Sequence, residues 1–286
     1  MNTALNKIRE FLNMVDFGHS LFALPFAYLG AFLAAQGMPT WSQLLWITVA
    51  MVSARTAALC LNRLIDRHID RANPRTSDWT LAAGRLPLSL VWLLVLFFTI
   101  LLFYSASRLN PLCLKLSPLA VLALWLYSYT KRFTWCCHLL LGMAIGLGPV
   151  GAWFAITGTP DWQPVILGMA VACWIAGFDS MYACQDIEFD RANGLYSIPA
   201  RFGIKGALLF SAIFHIFTIV LLLLNGLILN LGLLYYAGVA FVGIILIYEH
   251  GIVKPGDLSR VNFASFKINH YVGLIIFIMA LLDIFL

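Results

Sequence analysis

Asp66-Arg-His-Ile-Asp70-Arg-Ala-Asn73 and Asp186-Ile-Glu-Phe-Asp190-Arg-Ala-Asn193 share the pattern D-x-x-x-D-R-A-N, with 120 residues between their first positions (66 and 186). Each copy follows a long apolar run. Residues four apart lie on one helix face, one turn above another. Asn62, Asp66 and Asp70 therefore form a column, and Arg55, seven residues earlier, extends it into the apolar run. Asp186 and Asp190 form a second column, extended by Tyr182 and Asp179 at the same four- and seven-residue steps. Two carboxylates on one face repel each other, and a divalent cation offsets that repulsion. Magnesium takes carboxylate oxygens, keeps waters and bridges to phosphate oxygens. Two facing pairs could thus clamp Mg²⁺ on a diphosphate. The plainer reading, solvated carboxylates paired with Arg67, Arg71 and Arg191, suits one copy better than two matched copies with polar extensions.

The apolar runs dominate the rest of the chain. Of 286 residues, 62% are hydrophobic and 11% charged, whereas soluble domains carry about 25% charged residues. So few charges cannot cover a globular surface, and the composition predicts an all-α membrane protein. A bilayer-spanning helix needs about 20 apolar residues. Nine runs qualify, at about 18–37, 41–62, 88–107, 110–130, 135–157, 162–185, 206–226, 230–250 and 268–286, with Pro25 and Pro149 inside the first and fifth. They are expected to form one transmembrane domain over 1–286, nine helices around a central cavity. Of the 18 Lys and Arg residues, Arg108 and Lys115 fall on one side and Arg55 within a span, which leaves 15 on the N-terminal side. The positive-inside rule makes that side cytoplasmic. The long connections, about 63–87, 186–205 and 251–267, lie on it too and are expected to form cap loops.

The net charge of +5 does not point to nucleic acid, because the basic residues are scattered between apolar runs. The six Cys residues form no C-x-x-C pair and read as small buried thiols. No cleavable signal peptide is evident ahead of the first run.

The two motifs resemble those of the UbiA superfamily of intramembrane aromatic prenyltransferases, in its 4-hydroxybenzoate polyprenyltransferase-like branch. The family's first pattern, N-D-x-x-D-x-x-x-D, corresponds to Asn62-Arg-Leu-Ile-Asp66-Arg-His-Ile-Asp70. Its second, close to Y-D-x-x-Y-A-x-Q-D-x-x-x-D, corresponds to Phe178-Asp179-Ser-Met-Tyr182-Ala-Cys-Gln185-Asp186-Ile-Glu-Phe-Asp190. Arg55, Arg75-Thr76, Gly84 and Tyr127-x-x-x-Lys131-Arg132 also match, and the resemblance spans essentially the whole chain. Three positions depart from it. Arg63 replaces an Asp, Trp79-Thr-Leu-Ala-Ala-Gly84 replaces R-P-L-P-S-G, and Tyr196 stands where a Lys is usual. All three leave the four Asp positions intact and leave the acceptor open.

The resemblance implies Mg²⁺-dependent transfer of a polyprenyl group from its diphosphate to a ring carbon of an aromatic acid, within the bilayer, in ubiquinone or menaquinone synthesis. Asp66, Asp70, Asp186 and Asp190, with Asn62, would hold the metal. Arg67, Arg75, Lys131 and Arg132 are candidates for the diphosphate, and Arg55, Asp179, Tyr182 and His19 for the acceptor. Arg55 could pair with the acceptor's carboxylate or with Asp179. Tyr127, Tyr129, Tyr182 and Trp174 could shield an allylic cation through their ring faces. An ion-coupled transporter is the main alternative, since Arg55 and Asp179 lie within spans. Against it, the Asp pairs sit at helix ends rather than at the midplane. A CDP-alcohol phosphotransferase would carry its acidic residues in one segment, and a non-enzymatic assembly subunit would not require two metal-type motifs.

Overall fold

A computed structural model gives the arrangement of the chain and describes residues 2–15 and 24–286. Among them the protein is helical, with one isolated bridge, Lys254 to Asp257, as the only extended pairing. In chain order the helices are α1 (Asn2–Met14), α2 (Leu24–Ala35), α3 (Trp41–Ala72), α4 (Leu88–Leu109), α5 (Pro111–Thr130), α6 (Cys137–Thr157), α7 (Gln163–Tyr182), α8 (Ile187–Ala192), α9 (Ile198–Ile228), α10 (Leu233–Ile252) and α11 (Asn269–Phe285). A 3₁₀ turn (Ala183–Asp186) joins α7 to α8, and a π-helical turn (Phe263–Ile268) leads into α11.

Among the described residues eight helices are long and apolar enough to cross a membrane, and α2 is a shorter apolar ninth. The 12 residues of α2 reach only about 18 Å. The rest of the expected first span, before residue 24, lies outside the described residues, as does His19. Large apolar side chains such as Leu93, Phe97, Leu126, Ile216, Ile244 and Ile247 are more than half exposed on the outer faces. Lipid rather than water suits such a surface, and the chain is an integral membrane protein.

Two expected cap loops contain more helix than their sequence suggested, the first over 63–72 and the second over most of its length. The first motif does not start a loop after residue 62, because α3 continues without a break to Ala72. The second connection contracts to 193–197 between α8 and α9. Gly203, at φ 72°, interrupts α9 after its first turn, and the apolar run begins near 206, after Arg201 and Lys205.

Capping fixes the ends of these helices. Thr40 and Gln43 form a reciprocal capping box at the start of α3. Asn110 turns the chain between α4 and α5, its Oδ1 accepting from the Cys113 amide at 2.9 Å while Pro111 opens α5. Helix α6 crosses α7 at close backbone approach. A Cβ at Gly142 would strike the Ala172 carbonyl oxygen, and one at Gly146 the Gly168 carbonyl oxygen. In lipid, where helices gain little by hiding apolar surface from each other, such close backbone approach supplies the packing energy.

The main core gathers Phe26, Leu29, Trp153, Leu167, Trp174, Leu222, Tyr235, Val239 and Ile276 from α2, α6, α7, α9, α10 and α11. Trp174, a candidate cation shield from sequence, is fully buried here and donates to Asn269 Oδ1 at 2.6 Å. Its place is structural and away from the acidic motifs. All six thiols are free, with Cys60, Cys173 and Cys184 buried and the others half-buried. Helix α1 lies against the 73–87 connection, where the Arg85 Nε and Thr80 Oγ1 both donate to Glu10 Oε2 at 2.9 Å. Those two bonds hold the Glu10 carboxyl below its ordinary range.

Candidate active site

The C-terminal ends of α3, α5 and α7, the N-terminal end of α6 and the connections 73–79 and 195–197 enclose a polar chamber of about 220 Å³. Asn62, Asp66, Asp70, Asp179, Tyr182, Asp186 and Asp190 all line it, so the two motif copies face one space. Arg75 and Lys131 line it as well.

Each carboxylate has a definite partner. Asp66, 2% exposed, accepts from Asn62 Nδ2 at 3.0 Å and Arg132 Nη2 at 2.8 Å, and Lys131 Nζ lies 2.8 Å away. Burying that carboxylate is tolerable only with such compensation. Asp70 has Arg63 Nη1 at 3.9 Å. Asp186 takes a two-pronged grip from Arg75, with Nε donating at 2.8 Å and Nη2 donating to the second oxygen. Asn73 Nδ2 adds a third bond to Asp186 at 2.8 Å, and Arg75 Nη1 donates to the Tyr182 hydroxyl at 2.8 Å. Asp190 accepts from the Ser197 hydroxyl at 2.8 Å, and Ser197 in turn caps α9 by accepting from the Ala200 amide.

The two copies differ in backbone. Asp66 and Asp70 ride on unbroken α-helix, whereas Asp186 closes a 3₁₀ turn with φ −104° and ψ 6°. Three residues per turn instead of 3.6 rotates Asp186 off the column drawn through Asp179 and Tyr182, and the Asn73 and Arg75 bonds hold it there.

Several expected positions fall elsewhere. Arg67 does not line the chamber and donates to its neighbour His68 at 3.0 Å. Arg132 reaches the site only through Asp66. Tyr129 is exposed, with the Arg132 guanidinium 5.5 Å from its ring. Arg55 does not meet Asp179. Seven residues of helix put it about 10 Å deeper than Asn62, where it lines a second cavity.

That cavity, about 420 Å³, runs between α3, α4, α5 and α6 and is walled by side chains such as Met51, Leu59, Leu102, Leu116 and Ile145. Arg55 is the one charged residue among its described lining. Tyr127 and Leu141 border both cavities. Leu119 and Leu147, 62% and 39% exposed, line it on the outer side, so its wall reaches the lipid-facing surface between α5 and α6.

Several lining residues were missed in sequence. Asn73 stood in the repeat itself. Arg63 and Trp79 were noted only as departures, yet the Arg63 guanidinium lies 3.7 Å over the Trp79 ring, so the two departures contact each other. His138, a lone histidine at the mouth of a span, gave no signal, and its Nδ1 is 2.7 Å from Asp179 Oδ2. Tyr196 also lines the chamber, its amide donating to the Lys131 carbonyl at 2.7 Å.

A membrane fold, helical among the described residues, with two acidic motifs facing one polar chamber beside an apolar cavity, is the arrangement of a membrane-embedded enzyme. The chain belongs to the UbiA prenyltransferase family, whose profile matches residues 23–271. It is 30% identical over 253 residues to the 4-hydroxybenzoate octaprenyltransferase of Francisella tularensis subsp. novicida, covering 88% of each chain. Among solved structures it resembles the apo form of a UbiA homolog from Aeropyrum pernix K1, with TM-score 0.86 and 33% identity, over 93% of this chain and 98% of that one. A UbiA homolog from Archaeoglobus fulgidus bound to DMAPP and Mg²⁺ shares the fold at TM-score 0.66 and 20% identity, over 93% of this chain and 99% of that one. The protein is therefore a prenyltransferase, and the transporter reading falls.

Proposed function

We propose that this enzyme transfers a polyprenyl group from its diphosphate to a ring carbon of a hydroxy-aromatic acid, 4-hydroxybenzoate or a relative, in ubiquinone or menaquinone synthesis. The observation that carries it is the junction at Tyr127 and Leu141. A molecule with a diphosphate head and a hydrocarbon tail fits across that junction, head in the polar chamber and tail in the apolar cavity. The relatives' hydroxybenzoate transferase name supports the acceptor class. The Lys and Arg residues concentrated on the chamber's side of the membrane support a cytoplasmic opening.

Magnesium fits the residues present. The four Asp residues offer oxygen donors alone, the set a hard cation prefers. Among the described residues no three His, Cys, Asp or Glu groups gather closely enough to cage an ion. A bound Mg²⁺ would therefore complete its shell with diphosphate oxygens and water, as Mg²⁺ commonly does. Asp66, Asp70, Asp186 and Asp190, with Asn62, would hold it, and it would neutralise charge on the departing diphosphate. Arg75, Lys131 and Arg63 present cations to the same oxygens. Tyr127 and the apolar wall keep water from the allylic carbon once the C–O bond opens.

The test uses membranes carrying the protein, labelled polyprenyl diphosphate and a panel of hydroxy-aromatic acids. Product should form with at least one acid, fall to about 1% or less in EDTA and return with Mg²⁺. Undiminished product in EDTA sinks the metal assignment, and no product with any acid sinks the acceptor class.

Arg63 gives a second expectation. Stacking on Trp79 holds its guanidinium in the chamber, and a desolvated cation–π contact is worth about 1–2 kcal/mol. Trp79→Ala should raise KM for the prenyl diphosphate by roughly 5- to 30-fold at an unchanged acceptor KM. An unchanged KM would remove Arg63 from the head-group site.

A further inference from the structure

His138 occupies the first turn of α6 and is 5% exposed. Its two ring nitrogens have different partners. Nδ1 is 2.7 Å from Asp179 Oδ2, and Nε2 accepts from the Ile198 amide at 3.3 Å. Ile198 is the first residue of α9, so its N–H has no acceptor within the helix. A backbone amide can only donate, hence Nε2 carries a lone pair there. The ring proton then sits on Nδ1 and is donated to Asp179. The fold thus aims the Nδ1–H of this ring at a carboxylate.

Asp179 lines the chamber with its side chain 27% exposed. Oδ2 is held by His138, and among the described residues Oδ1 has no hydrogen-bond partner. Asp66, Asp70 and Asp186 face Arg or Lys side chains, whereas Asp179, like Asp190 on Ser197, does not. Its partner is a ring N–H, which fixes the direction of one carboxylate oxygen and leaves the other facing the chamber. It also sits seven residues before Asp186, about 10 Å deeper along the helix. A ring lying beneath the diphosphate would meet it.

We propose that His138 is a positioning residue for Asp179, and that Asp179 takes the proton lost from the acceptor ring. The inference rests on the prenyl-transfer reading given above. The allylic C–O bond breaks and its electron pair leaves on the diphosphate. A π pair of the ring forms the new bond to the allylic carbon. The C–H bond at the alkylated ring carbon then breaks, its electrons restore the aromatic ring, and the proton passes to Asp179 Oδ1. His138 keeps its own proton throughout.

Two substitutions separate this role from that of a helix cap. The amide nitrogen of Asn overlays Nδ1, so His138→Asn keeps the donor to Asp179 and gives up the acceptor for Ile198. His138→Gln can return an acceptor to Ile198 and gives up the donor. With an acid that the wild type accepts, the Asn variant should stay within about threefold of wild type, while Gln should lower kcat about 100-fold at an unchanged KM for the prenyl diphosphate. With the acceptor deuterated at the alkylated carbon, the Gln variant should show a larger kinetic isotope effect than wild type, because proton removal has become slow. Asp179→Asn, which preserves shape, should do the same. Equal activity of the Gln and Asn variants, parallel losses that follow Tm with no change in isotope effect, or full activity of Asp179→Asn would each overturn this inference and leave the proposed function standing. A wild type inactive with every acid overturns this inference together with the proposed function.

Discussion

Asp186→Asn is expected to lower kcat/KM for prenyl transfer by about a thousandfold, the scale of losing a main electrostatic contributor to a transition state. The substitution removes more than one charge from the chamber. Arg75 loses the two-pronged partner that aims it, and Asn73 faces a carboxamide in place of a carboxylate. Both residues come from the 73–79 connection, so the wall of the chamber opposite α7 loosens with the site. Asp161→Asn provides the control, since Asp161 bonds Thr159 and Trp153 in the connection between α6 and α7, outside the chamber. The comparison is made in native membranes with labelled prenyl diphosphate. A rate for Asp186→Asn within a few-fold of the Asp161 control would exclude Asp186 from the head-group site.

The second large effect is on folding. Gly142→Val should destabilise the protein by about 3 kcal/mol or more, the upper range for forcing volume into a packed contact. The obstacle is the backbone carbonyl of Ala172, which cannot swing aside as a side chain could. Helices α6 and α7 must separate, and with them His138 and Asp179. A thermal melt in detergent reads the loss as a lowered Tm. Gly151→Ala on the same helix is the comparison, because a Cβ there meets nothing within 4 Å. Equal Tm values for the two variants would show that the crossing relaxes at no cost.

The apolar runs and the paired motifs were legible because each depends on local periodicity. Eight of nine runs became long helices, and the Asp pairs meet as the repeat implied. What escaped depended on helix phase and on distant partners. Arg67, a diphosphate candidate from the sequence, does not line the chamber. At 3.6 residues per turn it lies about 60° beyond Asp70, while Arg63, seven residues before Asp70, returns to within about 20° of it. That difference could have been drawn from the sequence. The 3₁₀ turn at Asp186 could not, since Ala183-Cys-Gln-Asp186 carries no local mark of it and bonds from residues 73 and 75 accompany it. His138 and Asp179 are 41 residues apart, and no spacing rule links them.

On the proposed function, the apolar cavity that reaches the surface at Leu119 and Leu147 ties the enzyme to two concentrations of different kinds. The acceptor arrives from water and is counted per volume. The prenyl diphosphate arrives from the bilayer and is counted per lipid. At a fixed bulk amount of both substrates, adding inert phospholipid thins the lipid substrate within the membrane plane and should slow the reaction by surface dilution, while the acceptor's saturation curve stays where it was. Rates measured in detergent or vesicles thus carry meaning only with the mole fraction of prenyl donor stated.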